Sequence, residues 1–208
     1  EREIMNHLFP DTTYGCESGG DPKNIPDLTY ENFLNFHRTY YHPSNSYIYL
    51  YGNMDMEEKL AFLDEHYLSH FDYLDVDSVI QEQKAFGACR DVTLEYPVAE
   101  NEGEEDNTYL SYNMVVGNAA DSQMAMAFEV LDYALLSAPG APLKQALLDV
   151  KAGKDVYGSY DDGILQPYFT VIAKGSNPDR KEEFVSVIRQ VLGDIVKNGI
   201  DKKAVEAG

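Results

Sequence analysis

The chain reads as an α/β (α+β) protein: a two-layer sandwich of a largely antiparallel sheet with helices packed on one face. Three observations predict it. Strand-like segments come in pairs, helices with one apolar face separate the pairs, and Gly/Pro punctuation falls between the segments. The 208 residues suffice for a real core, as one large domain or two halves.

The first stretch is a loop. Pro10, Gly15, Gly19, Gly20, Pro22 and Pro26 leave no room for a regular element. Thr29 then offers an N-cap, with Glu31 in the first turn. Phe33, Leu34, Phe36, Tyr40 and Tyr41 give the helix an apolar face, and Pro43 ends it. Asn45–Tyr51, rich in Tyr, Ile and Leu, predicts a strand closed by Gly52. Met56–Phe71 predicts an amphipathic helix, and polar residues 72–87 a linker with some helical character.

Beyond it the period changes. Arg90–Ala99 and Thr108–Gly117 alternate as two strands, joined as a hairpin by an acidic loop holding Glu100, Glu102, Glu104, Glu105 and Asp106. Ala120–Ser137 predicts a long helix with Asp121 and Ser122 at its start, broken by Pro139–Pro142. A shorter helix over Leu143–Ala152, strands at Val156–Ser159 and Tyr168–Lys174, and a helix over Arg180–Asn198 follow. Gly199 suits the end of that helix. Residues from Asp201 predict the start of another.

Composition narrows the function classes. A net charge of −20 repels nucleic acid and anionic membranes and attracts basic peptides. Residues Asp91 to Leu143 contain no Lys or Arg. No apolar run approaches the roughly 18 residues of a membrane span. Two distant cysteines, Cys16 and Cys89, suit free thiols in a reducing, cytoplasmic compartment. An upstream targeting sequence would instead send the protein to an organellar matrix.

Catalytic motifs are sparse. Neither H-x-x-E-H nor H-E-x-x-H is present, nor a G-x-S-x-G elbow, nor a phosphate loop. His66 and His70 stand four apart on a predicted helix, a chelating spacing, but Tyr67 occupies the place where H-E-x-x-H needs its acid. His42, before Pro43, suits a carbonyl cap.

Seven segments together carry a resemblance: FPDTTYG (Phe9–Gly15), SGGDP (Ser18–Pro22), IPDLTYENFLNFHRTYYHPSN (Ile25–Asn45), YIYLYGN (Tyr47–Asn53) and, downstream, PLKQALLDVKAG (Pro142–Gly153), DVYG (Asp155–Gly158) and LQPYFTVIAKG (Leu165–Gly175). The set resembles the pitrilysin/insulysin family of zinc metallopeptidases, nearest its presequence-protease branch. The resemblance implies a mitochondrial-processing-peptidase-like fold. It also implies that this is an internal region, downstream of an inverted zinc motif lying before residue 1. Residues 1–71 would close the first, catalytic domain, 72–87 would link, and 88–208 would open the second, non-catalytic domain. Zinc belongs to the full-length parent and none is expected in this chain. The expected partners are peptides, basic ones among them, and the parent's remaining domains, with self-association of exposed sheet edges. Tyr14, Ser18, Gly19, Gly20 and Asp21 form the loop that would face the substrate chamber. A catalytically inactive scaffold or partner subunit of the same fold is the alternative.

Overall fold

The computed structural model describes residues 2–207. The chain forms two compact units: residues up to Gly15 with residues from Glu82 onward, and Cys16–Gln81. Each has its own architecture.

The larger unit is built on a three-stranded antiparallel sheet in the order β1-β3-β2, from β1 (Thr108–Val115), β2 (Asp155–Asp161) and β3 (Tyr168–Ser176). The central strand pairs Thr170 with Asn113 on one side and with Ser159 on the other. Side chains alternate between the two faces of such a sheet. One face presents Leu110, Phe169, Val171, Ala173 and Val156. Helix α4 (Ser122–Asp132), α5 (Pro142–Asp149) and α6 (Lys181–Asn198) cover this face. Leu143, Leu147 and Ile188 are completely buried there, and Phe184 nearly so. The predicted two layers, with helices on one face, are therefore present.

Local chemistry sets the helix ends. The Asp121 carboxylate accepts from the Met124 amide and starts α4. The helix does not run regularly to Ser137. Its last turn, Tyr133–Ser137, widens to π geometry, and the Ala138 amide reaches back to the Tyr133 carbonyl at 2.8 Å. The extra residue turns Ala134, Leu135 and Leu136 into the core. Gly199, at φ +84°, closes α6 by donating its amide to the Ile195 carbonyl. A short helix α7 (Lys202–Ala207) follows, and another, α1 (Arg2–Leu8), begins the unit.

The smaller unit holds α2 (Tyr30–Tyr40) and α3 (Met56–His66). Thr29 caps α2 through the Asn32 amide, as its position predicts, and Asp55 caps α3 through the Glu58 amide. Helix α3 stops at His66, and a separate 3-10 turn covers Leu68–His70. His66 and His70 thus lose the shared helical face that the sequence predicts. No residue of this unit is buried among those described.

Two predicted strands do not form ladders. Asn45–Tyr51 begins in a 3-10 turn and continues without assigned pairing, with Tyr47, Tyr49 and Tyr51 facing solvent. Arg90–Ala99 also lacks a ladder, so the acidic loop joins β1 to an irregular segment and not to a hairpin partner. The sequence predicted the alternation correctly, but a strand exists only where a second backbone meets it in register. The linker residues 72–87 carry no helix.

Candidate functional site

The loop predicted to face a chamber is divided between the two units. Tyr14 belongs to the larger one and is half-buried. Its hydroxyl accepts from the Leu165 amide at 3.2 Å, and its ring lies edge-on to Phe9. Ser18, Gly19, Gly20 and Asp21 belong to the smaller unit. Gly20, at φ +84°, turns the chain, and Asp21 accepts from the Lys23 amide at 2.9 Å. Asp21 thereby caps the next turn, and Tyr14 packs its own unit. Ser18 and Gly19 are exposed.

A larger feature lies on the second face of the sheet. A cleft of about 1080 Å³ runs beside β1, between α1 and residues 83–97. Its apolar walls include Phe86, Leu94, Tyr96, Tyr109, Tyr157 and Ile172. Alternation places Tyr109, Ser111 and Asn113 on this face, opposite the core residues Leu110 and Tyr112. β1 is an edge strand of the three-stranded ladder. Asn113 donates to the Ser111 hydroxyl at 2.9 Å, and its own Oδ1 is buried without a partner.

The charges around this cleft are mixed. Arg2, Lys84 and Arg90 line it together with Glu3 and Glu95. Arg90 donates to the His7 carbonyl at 3.1 Å, and its guanidinium lies 4.7 Å from the Phe86 ring centroid. The acidic loop is not part of the lining. Its last residue, Asp106, is instead anchored at the base of β1. It exchanges hydrogen bonds with the Asn177 side chain (2.9 and 2.8 Å) and pairs with Lys154 at 3.2 Å. The Asn177 bond first, then Lys154, hold its carboxyl below the ordinary value of 3.8.

The described residues do not fit zinc. No group of three His, Cys, Asp or Glu side chains converges among them. Histidines are used locally: His66 lies against Phe62, His37 stacks on Tyr41, and the Nδ1 of His42 accepts from the Ser44 amide. His42 therefore caps an amide, not the carbonyls its place suggested.

The peptidase M16 inactive-domain family model matches residues 27–208. The chain belongs to the M16 peptidase family. Protein HypA of Clostridium perfringens is 47% identical over 99% of this chain. Presequence protease 1 (chloroplastic/mitochondrial) of Arabidopsis thaliana is 36% identical over 99%, and the mitochondrial presequence protease of Xenopus laevis 31% over 99%. This chain spans only 21%, 19% and 20% of those proteins. A crystal structure described as an M16-like peptidase from Alicyclobacillus acidocaldarius superposes with TM-score 0.57 at 18% identity. That match covers 99% of this chain and 48% of the other, and it shows the fold. The resemblance read from the sequence is therefore correct at the level of the family, and the matched domain is its non-catalytic kind. The family's zinc chemistry has no ligand set among the described residues.

The cleft was not legible beforehand. The one signal is a tyrosine and small polar residues at alternate positions of β1, a pattern that an ordinary solvent face shares.

Proposed function

We propose that this chain is a non-catalytic region of a zinc-dependent metallopeptidase and that it helps enclose peptide substrates. The observation that carries the reading is the inactive-domain match over residues 27–208, in a chain without H-x-x-E-H. The names of the plant and frog relatives point to presequence peptides as the substrate class. The cleft beside β1 supports a peptide-holding role. An edge strand offers main-chain hydrogen bonds to an extended chain, and aromatic walls accept its apolar side chains. The net charge of −20 would draw basic peptides at long range, while the mixed lining leaves the fit itself to apolar and backbone contacts.

The loop residues Tyr14, Ser18, Gly19, Gly20 and Asp21 remain part of the proposal as a chamber-facing segment. The free, exposed Cys16 and Cys89 support a reducing compartment.

The test is zinc content and hydrolysis. The 208-residue chain is expected to retain less than about 0.1 zinc per molecule after dialysis and to leave basic and neutral peptides intact. Near-stoichiometric zinc together with cleavage would overturn the reading. The inactive-scaffold alternative predicts the same for this chain and differs in the parent protein, which it requires to be inert.

A further inference from the structure

Three passages of the larger unit meet at one buried amide. Gln83 is 6% exposed and lies two residues from Gln81, where the smaller unit ends. Its main-chain N–H donates to Gln166 Oε1 at 2.6 Å, and Gln166 Nε2 donates back to its carbonyl at 3.2 Å. Its side-chain Nε2 donates to Asp11 Oδ2 at 2.7 Å and to the Lys84 carbonyl at 3.3 Å. Its Oε1 accepts from the Asp11 amide at 2.9 Å. Each donor of this glutamine, and its side-chain oxygen, therefore has a partner.

The other crossing point, at Gly15, is tied to the same place. The Tyr14 hydroxyl accepts from the amide of Leu165, the neighbour of Gln166. Phe9, fully buried, packs edge-on against Tyr14 and Tyr168. Gly15 approaches Phe9 so closely that a Cβ would lie 2.3 Å from its carbonyl oxygen. The Leu165–Pro167 loop is itself held by the end of β1, through Ala119 donating to Leu165 and Val116 donating to Pro167.

We infer that the Asp11–Gln83–Gln166 cluster is a clasp that locks together the two points at which Cys16–Gln81 departs from and rejoins the larger unit. The arrangement requires an amide donor at 83 facing a side-chain oxygen at 11. A hydrophobic patch would hold the same passages without fixing their register, whereas reciprocal hydrogen bonds hold each backbone at one position. The clasp lies apart from the core cluster beneath the helices, so it can open while that core stays closed.

Amide hydrogen exchange on the intact chain tests this with three variants. Gln83→Glu keeps the acceptor for the Asp11 amide but sets a second carboxylate against Asp11. Exchange at Asp11, Gln83 and Leu165 is expected to quicken about tenfold or more, with Val171 and Ala173 in β3 unchanged. Asp11→Asn alone is expected to change little, because the new amide can still present its oxygen to Gln83 Nε2. The double variant restores a donor–acceptor pair with the roles exchanged and is expected to return exchange to within about threefold of the parent chain. Unchanged protection in Gln83→Glu would overturn the clasp. Equal acceleration throughout β3 would also overturn it, since the residue would then serve global packing. A double variant as fast as Gln83→Glu would show that the pairing does not matter.

Discussion

Helices α2 and α6 carry the same kind of amphipathic face and meet opposite fates. In α6, Phe184 and Ile188 are 1% and 0% exposed beneath the sheet. In α2, Phe33 and Phe36 are 64% and 59% exposed. The smaller unit has well-formed caps, an extended tyrosine-rich segment and two helices, yet buries nothing fully. An apolar stripe fixes which side of a helix seeks cover; it does not provide the cover. Secondary structure in the smaller unit is held by local hydrogen bonds such as Thr29 to Asn32, and in the larger unit by the packing of three helices on a sheet.

The contrast makes graded predictions. Leu143→Ala, at a fully buried position, is expected to destabilise the larger unit by about 3–5 kcal/mol in chemical denaturation. Gly158→Ala is expected to cost about 2–3 kcal/mol, because the added methyl would lie 2.1 Å from the Thr170 carbonyl and 2.6 Å from Leu136. A loss below about 0.5 kcal/mol for either would mean that the core is looser than its burial indicates.

Asp132 gives a smaller effect of opposite sign. Its Oδ1 is buried without a partner, and burial raises its carboxyl above the ordinary 3.8. The folded state therefore holds its proton more tightly than the unfolded chain, and stability falls as pH rises from the unfolded pKa through the folded one. Asp132→Asn is expected to stabilise by about 1 kcal/mol at neutral pH, with the gain vanishing below pH 3.8. A pH-independent difference would assign the effect to something other than ionisation.

Asp106 runs the other way. Its folded carboxyl is held low by Asn177 and Lys154, so its contribution is present above the unfolded pKa and is lost as pH falls through the folded one. Asp106→Asn, which tolerates the φ of +56° at this position, is expected to lower the thermal midpoint at neutral pH and to make little difference at strongly acid pH. The smallest effect belongs to α2: Phe33→Ala is expected to change stability by less than about 0.5 kcal/mol in this chain. The same variant is expected to reduce self-association by light scattering, since the exposed ring is part of the uncovered face. A large loss of stability on removing Phe33 would show that the smaller unit has a core after all.

Much of this was legible. The caps at Thr29 and Asp121, the closing glycine at 199 and the pairing of β2 with β3 all rest on local chemistry or short-range contacts. Asn45–Tyr51 and Arg90–Ala99 carry strand-like patterns equally well, but pairing is a property of two segments and alternation describes only one. The π turn at Tyr133–Ser137 changes register without changing composition. His66 and His70 lost their shared face to a helix end that the apolar pattern ran through. Gln83 looked like one polar residue in a polar linker; its meaning comes from Asp11 and Gln166, which are distant in sequence. Of the predicted site, the family and its missing zinc motif were readable, while the cleft beside β1 was not, because its walls come from stretches of chain far apart in sequence.

The central claim is that this region holds peptides without cutting them, and amide exchange with added peptide tests it most directly. With an extended, apolar-rich peptide in excess, the account predicts slower exchange along Thr108–Val115 and across residues 86–96, and recovery of the peptide uncleaved. Unchanged exchange along both segments at saturating peptide concentration, or recovery of cut peptide, would contradict it.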